Sequence, residues 1–128
     1  MRNNSTLLLR IIAAIILLIH GMAGMFNNGV KDFGNLYLNQ VGFAPIGLPL
    51  AWAIKISHLI AAFCLLFEKY VKPACLVTIA ILVTGIFMVH LPHGWFVVGG
   101  GRNGIEFNVL LIVVLVTIMF PKGLNKSK

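Results

Sequence analysis

Four apolar segments alternate with polar or glycine-rich connections along the chain. They cover residues 7–26, 48–67, 73–91 and 105–120. A helix needs roughly 20 apolar residues to cross a bilayer, so each segment predicts a membrane-spanning helix, the fourth a short one. Only Arg10 and His20 interrupt the first segment, and Lys55 and His58 interrupt the second. Pro121 ends the fourth segment.

The two long connections have different compositions. Residues 27–47 mix Asn, Gly and Pro with apolar side chains, which predicts an ordered loop lying at the membrane interface. Residues 92–104 contain the run Gly99–Gly101 and predict a turn region. Trp95 and Phe96 in this second connection suit the level of the lipid headgroups.

Composition supports a lipid environment. The 128 residues are 59% hydrophobic and only 10% charged, with a mean hydropathy of +0.98. Soluble domains average about 45–50% apolar and roughly 25% charged residues. Four crossings need about 80 residues, which the chain can supply, whereas six do not fit. We therefore expect a single transmembrane domain over residues 1–128, all-α, folded as an antiparallel four-helix bundle.

The basic residues predict the orientation of this bundle. Lys and Arg total 10 against 3 acidic residues, for a net charge of +7. Such residues concentrate in cytoplasmic loops. One side of the predicted bundle holds seven of them and the other side two: Arg2, Arg10, Lys69, Lys72, Lys122, Lys126 and Lys128 against Lys31 and Arg102. We expect both termini in the cytoplasm, with the chain multi-pass in the membrane and no nucleic-acid partner.

Ionisable side chains within the apolar segments are the main candidates for a functional site. Such groups are costly at membrane depth and are functional candidates by default. In the predicted orientation each helix places at least one in the outer half of the bundle: His20, Lys55, His58, His90 and Glu106. Their convergence predicts a polar pocket for a ligand. The alternative is that these groups only hold helices together. Arg10, one turn inside the cytoplasmic end, is expected either to pair with Glu68 or to reach the lipid headgroups.

Metal and haem sites are disfavoured by the spacing of their usual ligands. His20 and His58 lie at similar depths, as two axial haem ligands would, but no CxxCH or HExxH motif is present. Pro92 interrupts the pair His90 and His93. The two cysteines, Cys64 and Cys75, form no CxxC motif and suit apolar packing. No P-loop or GxGxxG motif indicates a nucleotide site.

A series of short motifs, in a constant order, resembles the DoxX family of small four-helix membrane proteins over nearly the whole chain. The motifs are Leu9-Arg10, His20-Gly21, Gly42-Phe43, Lys72-Pro73-Ala74, Gly94-Trp95-Phe96 and Asn103-Gly104 followed by Glu106. The resemblance implies an integral membrane subunit of a redox system. Relatives named DoxD and DoxA form a thiosulfate:quinone oxidoreductase, so the cofactor that the resemblance implies is a quinone.

The chain departs from the family pattern at two positions. The family usually has a Lys after the His-Gly of its first helix, where this chain has Gly24. The family often has a Glu in its second helix, at the position of His58. Lys55, one turn earlier, carries a basic group into the second helix instead. Glu106 is then its expected partner, and a contact of Glu106 with His58 is the alternative.

Three functions remain open at this point. The first is a redox-complex subunit that binds a quinone in the outer-half pocket, where His20, His58 or Lys55 would bond a quinone oxygen and transfer protons. The second is a non-enzymatic anchor or assembly subunit in which the polar groups only lock helix packing. The third is a small transporter module. The expected partners are the lipid bilayer and either another protein or further copies of the chain.

Overall fold

A computed structural model describes residues 4–97 and 104–123. The described residues contain helices and turns and no strand, which confirms the all-α class. The principal helices are α1 (Leu7–Met22), α2 (Gly29–Asp32), α3 (Gly47–Phe67), α4 (Val71–Gly85) and α5 (Glu106–Met119). A 3-10 turn, Asn4–Thr6, precedes α1. Arg2, the run Gly99–Gly101, Arg102, Asn103, Lys126 and Lys128 lie outside the described residues.

The connection between the first two apolar segments is mainly helical, so its prediction as a loop was wrong. Helix α2 continues directly into a π-helix, Phe33–Phe43, whose backbone is kinked at Gly42, where φ is 120°. Val30 and Leu38 of this stretch are buried and pack with Ala51 of α3. Gly34 lies so close to α3 that an added Cβ would stand 2.5 Å from the Leu48 Cα. Tertiary packing of an apolar face outweighs the low helix propensity of the Asn and Gly residues.

Small residues bring α1 and α3 into close contact. Ala13 and Ala14 of α1 and Ala61 and Ala62 of α3 are buried in one cluster. At Gly21 an added Cβ would stand 2.9 Å from the Leu59 side chain and 3.0 Å from the Lys55 carbonyl oxygen. Small side chains at such positions let helix backbones approach closely, as is typical of helix pairs in membranes.

Arg10 joins the beginning of α1 to the end of α3. Its side chain is only 3% exposed. One guanidinium nitrogen donates to the Leu65 carbonyl at 3.0 Å, and the other lies 3.8 Å from Glu68 Oε1. The predicted pair of Arg10 and Glu68 is therefore confirmed. Since Arg10 is near the start of α1 and Leu65 near the end of α3, the two helices run antiparallel.

The remaining helices complete the core. Helix α4 packs against α3 and α5, and α5 also contacts α1. Leu111, Leu115 and Ile118 of α5 are buried with the α1 and α3 residues. Cys75 is buried in the same cluster, as apolar packing predicts, and Cys64 is a free thiol of intermediate exposure.

Helix α4 changes its winding towards its C-terminal end. After Gly85 it continues as a π-helical turn, Ile86–His90, and then as a 3-10 turn, Leu91–His93. π-helical turns often occur where a helix is shaped around a functional site. Here the wider turn carries His90.

The helices expose large apolar side chains on their outer faces. Examples are Leu8 and Ile19 of α1, Ile60 of α3, Leu76 of α4 and Leu110 of α5. Two helices, Gly47–Phe67 and Val71–His93, are long and apolar enough to cross a membrane, and only 28% and 22% of their apolar windows are buried. Helices α1 and α5 are apolar but shorter, with 16 and 14 residues. Such extensive apolar exposure is uncommon in soluble monomers and is what lipid-facing helices present.

The close contact at Gly21 generates a stability prediction. The substitution Gly21→Leu should force α1 away from α3 and lower the free energy of unfolding by about 1–3 kcal/mol, the usual cost of overpacking. Ala53→Leu is the matched control, because Ala53 is exposed on α3. Thermal unfolding in detergent, followed by circular dichroism, would measure both variants. Equal midpoints for the two variants would contradict the role assigned to Gly21.

Candidate functional site

A cavity of about 480 Å³ lies between α1, α3, α4 and α5, next to the connection that joins α4 to α5. Four polar side chains contribute to its lining, namely His20, His58, His90 and Asn108. The other lining residues are apolar or glycine. Three of the five predicted site residues thus line one cavity, each from a different helical element.

His58 is the most distinctive of these groups. It is 9% exposed, in the middle of α3, and it shares a buried face of that helix with Ala51, Ala62 and Leu65. Within residues 4–97 and 104–123, its Nδ1 atom has no hydrogen-bond partner. Buried polar atoms are nearly always paired, so an unpaired one beside a cavity points to a ligand that would bond it there.

His20 reaches the cavity because its neighbours hold the end of α1 in place. Its ring packs against Phe107 of α5, with 6.0 Å between the ring centroids. Its backbone carbonyl accepts a hydrogen bond of 2.8 Å from Lys55 Nζ. The Lys55 ammonium also lies 5.6 Å from the centroid of the Phe33 ring. Lys55 does not itself line the cavity and acts as a clamp between α1, α3 and the π-helix that follows α2.

Glu106 shapes the wall of the cavity without lining it. Its Oε2 atom accepts a hydrogen bond from the backbone N–H of Val97, and Val97 lines the cavity. A carboxylate in the first turn of α5 also interacts favourably with the positive end of the helix dipole. The expected partner of Glu106 was Lys55, but the Lys55 ammonium bonds the His20 carbonyl and Glu106 bonds the Val97 N–H.

Asn108 is a cavity residue that the search for ionisable groups missed. It is 6% exposed, and its Nδ2 donates to the Leu82 carbonyl of α4 at 3.2 Å. An added Cβ at Gly85 would stand 3.5 Å from the same Nδ2 and 3.8 Å from the His90 ring. The signal available in the sequence was an uncharged amide in an otherwise apolar segment, two residues after Glu106.

The polar groups of this cavity are imidazoles and an amide among apolar walls. No group of three or more His, Cys, Asp or Glu that could hold a metal occurs in the described part of the chain. Imidazole nitrogens and an amide, spaced around apolar walls, can bond carbonyl or hydroxyl oxygens of a ligand from several directions.

The helices, their exposed apolar faces and the polar cavity define an all-α membrane protein. The DoxX family model matches residues 5–91. The chain therefore belongs to the DoxX family of membrane proteins, which confirms the resemblance seen in the sequence. The match includes His20, His58 and His90 and ends before α5. No curated protein and no solved structure gives a significant match to the chain.

The hydrogen bond from Asn108 to α4 should contribute measurably to stability. Asn108→Leu removes the donor and should lower the free energy of unfolding by about 0.6–1.7 kcal/mol, the range for interhelical hydrogen bonds in a membrane. Thr117→Val is the control, because the Thr117 hydroxyl is exposed and bonds only the Val113 carbonyl of its own helix. Denaturant unfolding in mixed micelles would compare them, and a loss no greater than that of the control would refute the prediction.

Proposed function

We propose that this DoxX-family protein binds the head group of a quinone in the cavity between α1, α3, α4 and α5, as a subunit of a membrane redox complex. The observation that carries the proposal is His58, which lines the cavity and whose buried Nδ1 has no partner within the described residues. His20, His90 and Asn108 around the same cavity supply further hydrogen-bonding groups.

The cavity residues would make different contacts with the quinone. His58 would bond one quinone oxygen through Nδ1, and His20 would bond an oxygen from the α1 side. Phe107 and Leu111 provide apolar walls for a flat ring and exclude water. Imidazole can donate or accept a proton through its ring nitrogens, which suits it to proton transfer. Lys55 and Glu106 would act indirectly, by holding His20 and Val97 in position.

The electrons would come from a partner protein. A bound quinone takes up two electrons and two protons when it is reduced to a quinol. The chain has no CxxCH haem motif and no flavin or nucleotide motif that would supply the electrons. A redox protein docked on the same membrane would deliver them, while the histidines of this chain would transfer the protons.

The same proposal includes the topology. The helices α1, α3, α4 and α5 would cross a bacterial inner membrane as an antiparallel four-helix bundle with both termini in the cytoplasm. The pairing of α1 with α3, α3 with α4, α4 with α5 and α5 with α1 supports a closed bundle. The cavity would then lie in the outer half, and the cytoplasmic ends would carry Arg10, Glu68 and Lys72.

A second candidate function is a non-enzymatic anchor subunit. Two of the polar contacts around the cavity join helix to helix, since Lys55 bonds the His20 carbonyl and Asn108 bonds the Leu82 carbonyl. In this alternative the cavity has no ligand and the outer connections dock another protein. Native mass spectrometry of the protein released from its membranes distinguishes the two, because only the first function retains a quinone.

Quinone binding should depend on the cavity histidines. In nanodiscs, His58→Leu should weaken the binding of a ubiquinone analogue by about tenfold, the loss of one hydrogen bond worth about 1.4 kcal/mol. The double variant H20A/H58A should lose more. Quenching of the fluorescence of Trp52 and Trp95 by the quinone would report binding.

His93→Leu is the matched control for these variants, because His93 is exposed and does not line the cavity. Its affinity should equal that of the unmodified protein. Circular dichroism would verify that every variant is folded. Unchanged affinity in a folded double variant would exclude quinone binding at this site.

The proposed topology predicts the side on which each connection lies. A green fluorescent protein fused after Lys128 should be fluorescent, because it folds in the cytoplasm, and alkaline phosphatase fused there should be inactive. Single cysteines placed at Asn28 and Ser127, in a chain lacking Cys64 and Cys75, should react with a membrane-impermeant maleimide at Asn28 only. Labelling of Ser127→Cys in intact cells would overturn the orientation.

A further inference from the structure

A second, apolar recess lies beside the candidate site, on the other side of α4. This groove has a volume of about 350 Å³ between α3, α4 and the π-helix that follows α2. Leu38, Phe43, Leu50, Ala80 and Met88 contribute to its walls. The one hydroxyl in the lining belongs to Thr84, and it donates to the Ala80 carbonyl at 2.9 Å. The groove therefore presents an apolar surface to a ligand. The polar side chain in its lining, Thr84, is already hydrogen-bonded within its own helix.

The groove and the polar cavity meet along one stripe of α4. Ile81 and Gly85 line both of them. Ala80, Thr84 and Met88 form the neighbouring stripe, about 100° away around the helix, and line only the groove. On α3, Ile54 lines the groove and His58, one turn later, lines the cavity.

The two recesses adjoin at Ile81 and Gly85 of α4. Gly85 has no side chain, and a Cβ there would have no contact closer than 3.5 Å. The groove extends from this junction to exposed residues such as Ala80 and Thr84, and the cavity extends from it to His58, whose Nδ1 has no hydrogen-bond partner among the described residues.

We infer that the cavity and the groove together form one binding site for a ligand with a polar ring and a long hydrocarbon chain, the ring in the cavity beside His58 and the chain along the groove past Gly85. The inference rests on the proposed function and narrows its ligand class from quinone head groups in general to long-chain, lipid-soluble quinones. The chemistry of the two recesses places the ring in the cavity and the chain in the groove. The imidazole and amide groups line the cavity, whereas the groove is apolar apart from the Thr84 hydroxyl.

The test uses two ubiquinone analogues and three variants in nanodiscs of fixed lipid content. One analogue is the dimethoxy-methyl benzoquinone ring without a chain, and the other carries a decyl chain. Ala80→Phe fills the groove, and His58→Leu alters the cavity. Ala53→Phe is the control, because it makes the same change on an exposed face of α3 that lines neither the cavity nor the groove. Tryptophan quenching gives each dissociation constant, and the lipid partitioning of each analogue is common to all variants.

Ala80→Phe should weaken binding of the decyl analogue by about tenfold or more, because the phenyl group occupies the route of the chain. Its affinity for the ring alone should stay within about twofold, and Ala53→Phe should change neither. His58→Leu should weaken both analogues. If Ala80→Phe leaves the affinity for the decyl analogue unchanged, the chain does not use the groove and the inference is wrong. If neither analogue binds the unmodified protein, the proposed function itself fails.

Photolabelling of the unmodified protein tests the same inference without depending on the folding of any variant. A quinone with a diazirine at the end of its decyl chain is photoactivated, and the labelled peptides are identified by mass spectrometry. Labelling should concentrate in residues 38–54 and 80–89. Labelling spread over the outer faces of α1 and α5 would show that the chain lies in bulk lipid, and would overturn the inference even where the ring binds.

Discussion

The close antiparallel contact of α1 with α3 is the constraint on which the rest of the structure depends. Without a hydrophobic driving force between helices in lipid, association relies on tight packing and on interhelical hydrogen bonds. Alanines and Gly21 provide the packing, and polar clamps secure both ends: Arg10 bonds the Leu65 carbonyl, and Lys55 bonds the His20 carbonyl. Because the helices are held in this register, His20 and His58 line the same cavity.

The polar groups of this chain fall into two sets with different consequences. The first set consists of Lys55, Glu106 and Asn108. Their side chains form hydrogen bonds with backbone groups of neighbouring elements, and these bonds fix the walls of the cavity. His58 is different, because its Nδ1 lies buried beside the cavity without such a partner in the described structure. Burying an unpaired polar atom is costly.

The local departures from regular α-helix also shape the space for a ligand. The π-helix that follows α2 lies against the N-terminal half of α3 and supplies Leu38 and Phe43 to the apolar groove. The π-helical turn after Gly85 carries His90 on the wall of the polar cavity. Gly85 stands where the two recesses meet, so α4 borders a polar space on one stripe and an apolar space on the next.

The sequence by itself determined the helical class, the family and the location of the apolar segments, because hydropathy and motif order are local properties of the chain. It also predicted the pair of Arg10 and Glu68 and identified three of the four polar residues that line the cavity. Only the tertiary structure decided that residues 29–43 are helical, since their apolar face is stabilised by α3. It likewise decided that Lys55 and Glu106 bond backbone groups outside the cavity and that Asn108 lines it. Such assignments depend on how helices rotate and approach one another, and no local pattern encodes that geometry.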